Sequence, residues 1–262
     1  MIPTLLAAFE KPTTKDFVWS PWGPTVHIFG VSLYFNFILF LVTISFSLFV
    51  IMFFLAFRKP QVVPGKFQAL MEWGLEFVKQ EIVDQMLGPD GGPFFALFAT
   101  YFFIILFGNI LEVVPGINFS PNSRIMFPLI LALVSWVTYN TVGIRRHGFG
   151  GYMKIVLFPP GAPKVLYIIL TPIQFLSEII IRPITLSVRL FANMLAGHFL
   201  LAVFFLGTIA LLHDGFLAIV GVFAGVMSVV LVGFEIFVSL LQAFIFSVLS
   251  ASYIAGAMAS EH

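Results

Sequence analysis

The sequence predicts an all-α polytopic membrane protein with about five membrane crossings, an amphipathic interfacial helix and a closing hairpin of two long tilted helices. Three observations carry that prediction. Of the 262 residues, 60% are hydrophobic and only 10% are charged, against about 25% charged in a soluble domain. Apolar runs of about the ~20 residues that a bilayer requires recur along the chain. The C-terminal part consists of two near-continuous apolar runs separated by one short polar break. The net charge of +1 and the lack of a basic cluster argue against a nucleic-acid partner. Without cysteine there is no disulfide framework, thiolate nucleophile or Cys-ligated metal, and no metal or cofactor is expected.

Residues 1–30 hold acids, prolines and two Trp, and no basic region precedes a short apolar core, so they do not read as a cleaved signal. The first membrane helix is expected over 31–57, closed by Arg58, Lys59 and Pro60. Residues 66–88 mix charges with apolar residues at helical spacing. Phe67, Leu70, Met71, Gly74, Leu75, Phe77 and Val78 form one broad apolar face, the mark of an amphipathic helix at the interface. GPDGGP (88–93) is a turn; the region 58–93 is thus helix plus turn. Phe94–Val114 is the second span, and Ile125–Ile144 the third, with the polar loop NFSPNSR between them. A basic, glycine-rich connector occupies 145–164.

The region 165–262 reads as the tilted hairpin. Val165–Leu212 is interrupted only by Pro172 and Pro183; HDG breaks it, and Phe216–Met258 follows. That second run has 43 residues, roughly 65 Å as a helix, against a hydrocarbon core of ~30 Å. Each run either hides two spans or is one strongly tilted helix; lacking a polar loop for a reversal, the tilted hairpin is favoured. Lys and Arg then orient the chain. With the N-terminus outside, Arg58, Lys59, Lys66, Lys79, Arg145, Arg146, Lys154 and Lys164 fall inside, and only Lys11, Lys15 and Arg124 outside. Five crossings leave the C-terminus inside.

Polar residues within the apolar runs carry the functional signal. At about 100° per residue, with Arg189 as zero, Glu178 falls near roughly −20°, Arg182 near +20° and Asn193 near +40°. His198 lands on the far side, and Pro183 softens angles measured across it. In the last run Ser228, Glu235 and Gln242 recur every seven residues and Ser239 follows Glu235 by four, again one stripe. Such residues face protein or water, not lipid. Blander roles fit several of them. Arg182 suits a snorkelling interfacial arginine and Glu178 its partner. Asn193 and Gln242 suit interhelical hydrogen bonding, His198 and Glu235 a structural pair, and Glu112 an interfacial acid. Gly221 and Gly225 suit close helix packing. Arg189 resists that treatment. It stays charged in a protein, costs at least ~2.5–3.5 kcal/mol at the centre of a bilayer helix, and has no obvious carboxylate of its own. Its counter-charge is then expected on another chain. A carboxylate passing Arg189 is held ionised, whereas the same group facing lipid prefers to be protonated. The stripe suggests a device that strips protons from a moving partner and separates two proton routes.

RPITLSVRLFANMLAGH (182–198) resembles the signature of subunit a of the F-type ATP synthase, subunit 6 in mitochondria. FEIFVSLLQAFIFSVLSASYIAGAM (234–258) is similar to that family's last helix, and FGNILEVVPG (107–116) to its short acidic turn. The first 65 residues match weakly. The resemblance implies that Arg189 faces carboxylates of a rotating c-ring, with Asn193 one turn away and Gln242 nearby on the final helix. It implies that His198 and Glu235, with Ser239 on the same stripe, line an outer half-channel whose mouth lies near Glu112, and that Glu178 lies toward an inner half-channel. The sequence departs there: many family members carry the acid about one turn earlier, at the position of Phe175. The implied partners are the c-ring, peripheral-stalk subunit b, the F1 ATPase sector and membrane lipid. The implied role is a proton-conducting stator that couples proton flow to rotation and ATP synthesis and is not catalytic by itself. Consistently, the chain has no P-loop, GxxxxGK[ST]. The bacterial character of FPPGAPKVLYIILTPIQ favours a bacterial plasma membrane over a mitochondrial inner membrane. A self-contained proton-coupled transporter is the alternative; no internal repeat with paired helix breaks supports it. A structural scaffold gives Arg189 no reason to exist.

Overall fold

The structure, a computed structural model, describes residues 26–28, 31–33, 36–158, 166–212, 215 and 217–259. Lys11, Lys15, Lys164 and most of the HDG break lie outside the described residues. Two short antiparallel strands come first, β1 (Val26–Ile28) and β2 (Val31–Leu33), with Val26 opposite Leu33 and Ile28 opposite Val31. Among the described residues the regular structure after them is helical, and five helical segments are long and apolar enough to cross a membrane. The all-α, multi-pass reading holds, with this hairpin as an addition.

Helix α1 (Phe37–Phe57) starts later than the expected boundary at Val31, because 31–33 pairs as strand and Asn36 sets the helix end. The Asn36 Oδ1 accepts the Leu39 N–H at 2.9 Å, an N-cap that satisfies an orphan amide. Helix α2 (Lys66–Val78) buries Met71, Gly74 and Val78 and exposes Phe67, Leu70 and Trp73. Its apolar residues therefore divide between a protein-facing side and an outward side. A π-turn (Lys79–Asp84), one short helical turn and a 3-10 segment (Gly88–Phe94) then reverse the chain into α3 (Phe95–Ile110). Gly88, at φ +56°, supplies the left-handed residue of that reversal. The reversal lays α2 on α3, and a Cβ at Gly74 would come within 2.9 Å of the Phe103 ring.

Helix α4 (Met126–Leu157) is broken at Gly148, where φ is 72°. The residues beyond the break, read from sequence as connector, are helical and fold back so that the Tyr152 ring occupies the space a Gly143 side chain would need. The closing hairpin contains α5 (Tyr167–Leu176), a π-turn (Ser177–Ile181), α6 (Arg182–Leu212) and α7 (Ala218–Met258). Both long runs are helical without an internal loop, which removes the two-spans-per-run alternative. Gly221 sits against the backbone of Leu212, where a Cβ would lie 2.8 Å from its nitrogen, and Gly225 sits against Thr208. These small residues let the two helices approach closely beside their connection.

The core gathers where α2 and α3 meet α7. Phe98, Phe102 and Phe103 pack with Met71 and Val78 on one side and Ala243 and Phe246 on the other. Tyr101 meets Phe246 edge-on at 5.5 Å, and Phe77 touches the rings of both Phe102 and Phe244. Between apolar helices in a bilayer, such packing is itself the main source of association. It holds α7 rigidly and so positions the polar stripe on it.

Candidate functional site

Ser228, Glu235, Ser239 and Gln242 are all buried in α7, each at most 3% exposed. Their shared face lies inward, as the seven-residue recurrence predicts. The stripe on the first long run does not stay together. Glu178 sits within the π-turn Ser177–Ile181, where the Arg182 N–H bonds to the Ser177 carbonyl, five residues back. That wider turn breaks the 100° phase on which the single-stripe expectation rests. Three separate groupings result.

The first grouping is the Glu112 end. Glu112, in the turn after α3, is 3% exposed, and its Oε1 lies 3.9 Å from His198 Nδ1 on α6. Glu235 reaches across from α7 and presses its carboxylate on the bare backbone of Gly197, where any Cβ would collide with it. Phe119 meets the His198 ring edge-on at 5.3 Å. Beside them the Asn122 Nδ2 donates to Asn109 Oδ1 at 2.5 Å, and Ser120 Oγ accepts the Asn122 N–H at 3.1 Å. Both carboxylate oxygens of Glu112, Glu235 Oε2, Asn109 Nδ2 and Asn122 Oδ1 are buried without a hydrogen-bond partner among the described residues. Buried polar groups of this density are costly unless water or an exchanging proton satisfies them. A carboxylate beside an imidazole, with a second carboxylate one residue away at Gly197, is a cluster of groups that can take up and release protons.

The second grouping surrounds Arg189. Arg189 is exposed on α6, as are Val188, Ala192, Asn193 and Ala196. Among the described residues, no acid forms an ion pair with it. Asn193 Nδ2 donates to Gln242 Oε1 at 2.8 Å, tying α6 to α7 one turn from Arg189. Leu186, Leu190 and Met194, on the adjoining face of α6, are buried in the core, while Arg189 stays on the exposed side.

The third grouping is the Glu178 end. Glu178 and Arg182 form an ion pair across one helical turn. The Arg182 guanidinium also lies over the Tyr253 ring, 4.8 Å from its centroid, a favourable cation–π position. Tyr139 Oη donates to the Glu178 backbone carbonyl at 2.7 Å, at the widened π-turn. Tyr139 and Tyr253 meet edge-on at 5.7 Å. Arg182 is thus held within the chain by Glu178 and Tyr253 rather than snorkelling alone. Phe175, one turn before Glu178, is exposed and apolar.

Asn109, Asn122, Tyr139, Tyr253 and Gly197 are the contributors that sequence reasoning missed. Asn109 lies within the recognised FGNILEVVPG stretch and Asn122 within NFSPNSR, so an asparagine inside or beside an apolar run was the available signal. The tyrosines carried none, because a tyrosine in a membrane helix reads as an interfacial or core residue.

Residues 37–255 match the family model described as ATP synthase A chain. ATP synthase subunit a of Rhodococcus erythropolis is 40% identical over 266 residues, covering 99% of this chain and 95% of the relative. The same-named protein of a Parafrankia species is 42% identical over 251 residues, with 91% and 85% covered. That of Frankia alni is 40% identical over 266 residues, with 100% and 91% covered.

Proposed function

The chain belongs to the ATP synthase A chain family, the multi-pass subunit of the membrane sector of the F-type ATP synthase, and on that premise we propose that it is the proton-conducting stator of the rotary motor. One observation carries the reading. Arg189 sits exposed on an apolar helix, unpaired by any described acid, while its neighbour Asn193 is fastened to Gln242. A permanent charge in that position requires a counter-charge from another chain, and carboxylates of a c-ring supply one repeatedly.

In this mechanism a proton enters from outside, passes through the Glu112, His198 and Glu235 cluster, and neutralises a c-ring carboxylate. His198, able to carry a proton near neutral pH, suits protons as the coupling ion. The neutral carboxylate rotates through lipid. On its return it is drawn into an ion pair with Arg189 and releases its proton toward the inner half-channel on the Glu178 side. Arg189, fixed and charged, blocks a direct leak between the two routes. Gln242 and Asn193 hold α6 against α7 at that barrier, and Ser239 extends the polar face. One charge crossing 100 mV supplies ~2.3 kcal/mol, so several protons serve each ATP made. Subunit b and the F1 sector complete the complex; bacterial relatives favour a plasma membrane, and the Lys and Arg distribution an outside N-terminus and an inside C-terminus.

The test is passive proton flux through vesicles carrying the membrane sector without its ATPase head, for wild type and Arg189→Ala, with ATP synthesis assayed on the whole complex. The expected variant assembles with the c-ring, makes no ATP and leaks protons. Normal ATP synthesis, or a chain that purifies gently without c-ring and ATPase subunits, overturns the proposal and favours the self-contained transporter.

A further inference from the structure

A cleft of about 510 Å³ opens between the end of α1, the linker after it and the start of α2. Its lining includes Arg58, Lys59 and Lys66, with Gln61 beside them and Leu55 and Phe67 as apolar wall. None of the three cations forms an ion pair with an acid among the described residues. Arg58 leans over the Phe54 ring, 6.0 Å from its centroid, which occupies a face of the guanidinium and leaves its N–H edge available.

The cleft is held open by the chain's own bonds. Gln68, 8% exposed, accepts the Gln61 N–H through Oε1 and donates through Nε2 to the Gln61 carbonyl, both at 3.2 Å. The same Nε2 donates to Glu72 at 2.7 Å, which fixes the amide's orientation. The linker that carries Arg58 and Lys59 is thereby stapled to the helix that starts with Lys66. That helix has Gly65 at its N-cap and no side-chain cap, so its first amides point outward uncapped, with the positive end of the helix dipole behind them. The rim of the cleft is apolar. Val62, Val63, Phe67, Leu70 and Trp73 are exposed around and below it, and a tryptophan at this level suits the membrane–water interface.

Three cations and uncapped amides converging on one hollow recognise a phosphate. An apolar apron continuous with the hollow recognises acyl chains attached to that phosphate. We propose that this cleft binds the headgroup of an anionic phospholipid, with the phosphate among Arg58, Lys59 and Lys66 and the chains along Phe67, Leu70 and Trp73. The position matches the general tendency of basic pockets beside membrane helices to hold anionic headgroups, and it is independent of the proton path. Bound there, the lipid fills the angle between α1 and α2 and fixes how the amphipathic helix lies on the membrane.

The test uses the whole complex in phosphatidylcholine nanodiscs, titrated with spin-labelled phosphatidylglycerol, and reads the motionally restricted fraction. Neutralising one cation, as Arg58→Gln, Lys59→Gln or Lys66→Gln, is expected to weaken binding about fivefold, and the triple variant about 100-fold. ATP synthesis per assembled complex is expected to persist in the single variants. If the triple variant does not assemble, the three single variants decide. Binding unchanged by any of them, or labelled phosphatidylcholine held as tightly as phosphatidylglycerol, overturns the proposal. Displacement by inorganic phosphate or glycerol phosphate as effective as displacement by unlabelled phosphatidylglycerol also overturns it, in favour of a soluble phosphate site.

Discussion

Arg182 and Arg189 stand two turns apart on the same helix and are solved in opposite ways. Arg182 has everything it needs nearby: the Glu178 carboxylate one turn back and the Tyr253 ring above it. Its side chain is 31% exposed. Arg189 has an exposed position and no acid of its own among the described residues. An apolar helix tolerates a charge when the chain that carries it also neutralises it. A charge that is not neutralised internally is kept for something outside. The contrast therefore separates an arginine paired within the chain from one that no described acid pairs, the one the proposed function turns toward a partner, although sequence pattern alone placed both in one stripe.

The comparison can be broken or sharpened by substitution. Arg189→Ala is expected to have the largest effect, loss of ATP synthesis to background with a proton leak, read by the vesicle-flux and synthesis assays described above. Asn193→Asp comes next, because it gives Arg189 an internal carboxylate one turn away and copies the Glu178–Arg182 arrangement. An Arg189 captured in this way is expected to lower ATP synthesis by roughly tenfold or more. Asn193→Ala, which removes only the 2.8 Å bond to Gln242, is expected to cost about 1 kcal/mol of stability and far less activity. Equal activity losses in the two variants would mean that the hydrogen bond, not the freedom of Arg189, matters. Glu178→Ala strands Arg182 in a half-buried position and is expected to lower the Tm of the complex through about 1–3 kcal/mol, with a mild defect in synthesis. Complete loss of synthesis there would put Glu178 in the proton path as an essential group. Tyr253→Leu removes the ring over Arg182 and is expected to be smallest, about 0.5–1 kcal/mol. A large loss of synthesis in Tyr253→Leu would dissolve the distinction between the two arginines.

The fold was largely legible because apolar length is a strong signal. The runs ending at Phe57, Leu212 and Met258 ended as helices there, the run expected to end at Val114 closed at Ile110, and the inward Ser228, Glu235 and Gln242 face followed from spacing alone. The Asn193–Gln242 contact was implied by two polar side chains with nowhere else to go in lipid. Other features carried no local signal. Reading angles at one fixed increment cannot register the π-turn at Ser177–Ile181, which needs tertiary support from Tyr139 at the Glu178 carbonyl. The strand at Val31–Leu33 is as apolar as the helix after it, so only the Asn36 cap marks the true start. The fold-back of Tyr152 on Gly143 depends on one left-handed glycine within a basic, glycine-rich stretch that reads as connector. The Asn109–Asn122 clasp joins two segments through the turn between them, and a pairing of that kind is invisible to periodicity.

Helix α7 runs for 41 residues without interruption, while its partner run is jointed at the π-turn and at Pro183. In mechanical terms one member of the hairpin is a strut and the other a hinged arm. An α-helix of this length, about 62 Å, resists bending along its whole course, and its aromatic packing on α3 anchors it from the side. A load applied at Arg189 would therefore reach the stiff member through the Asn193–Gln242 tie, and the arm would give at the π-turn and Pro183. On the proposed stator role, a flexible joint would thus stand about three turns from the charge that takes the force.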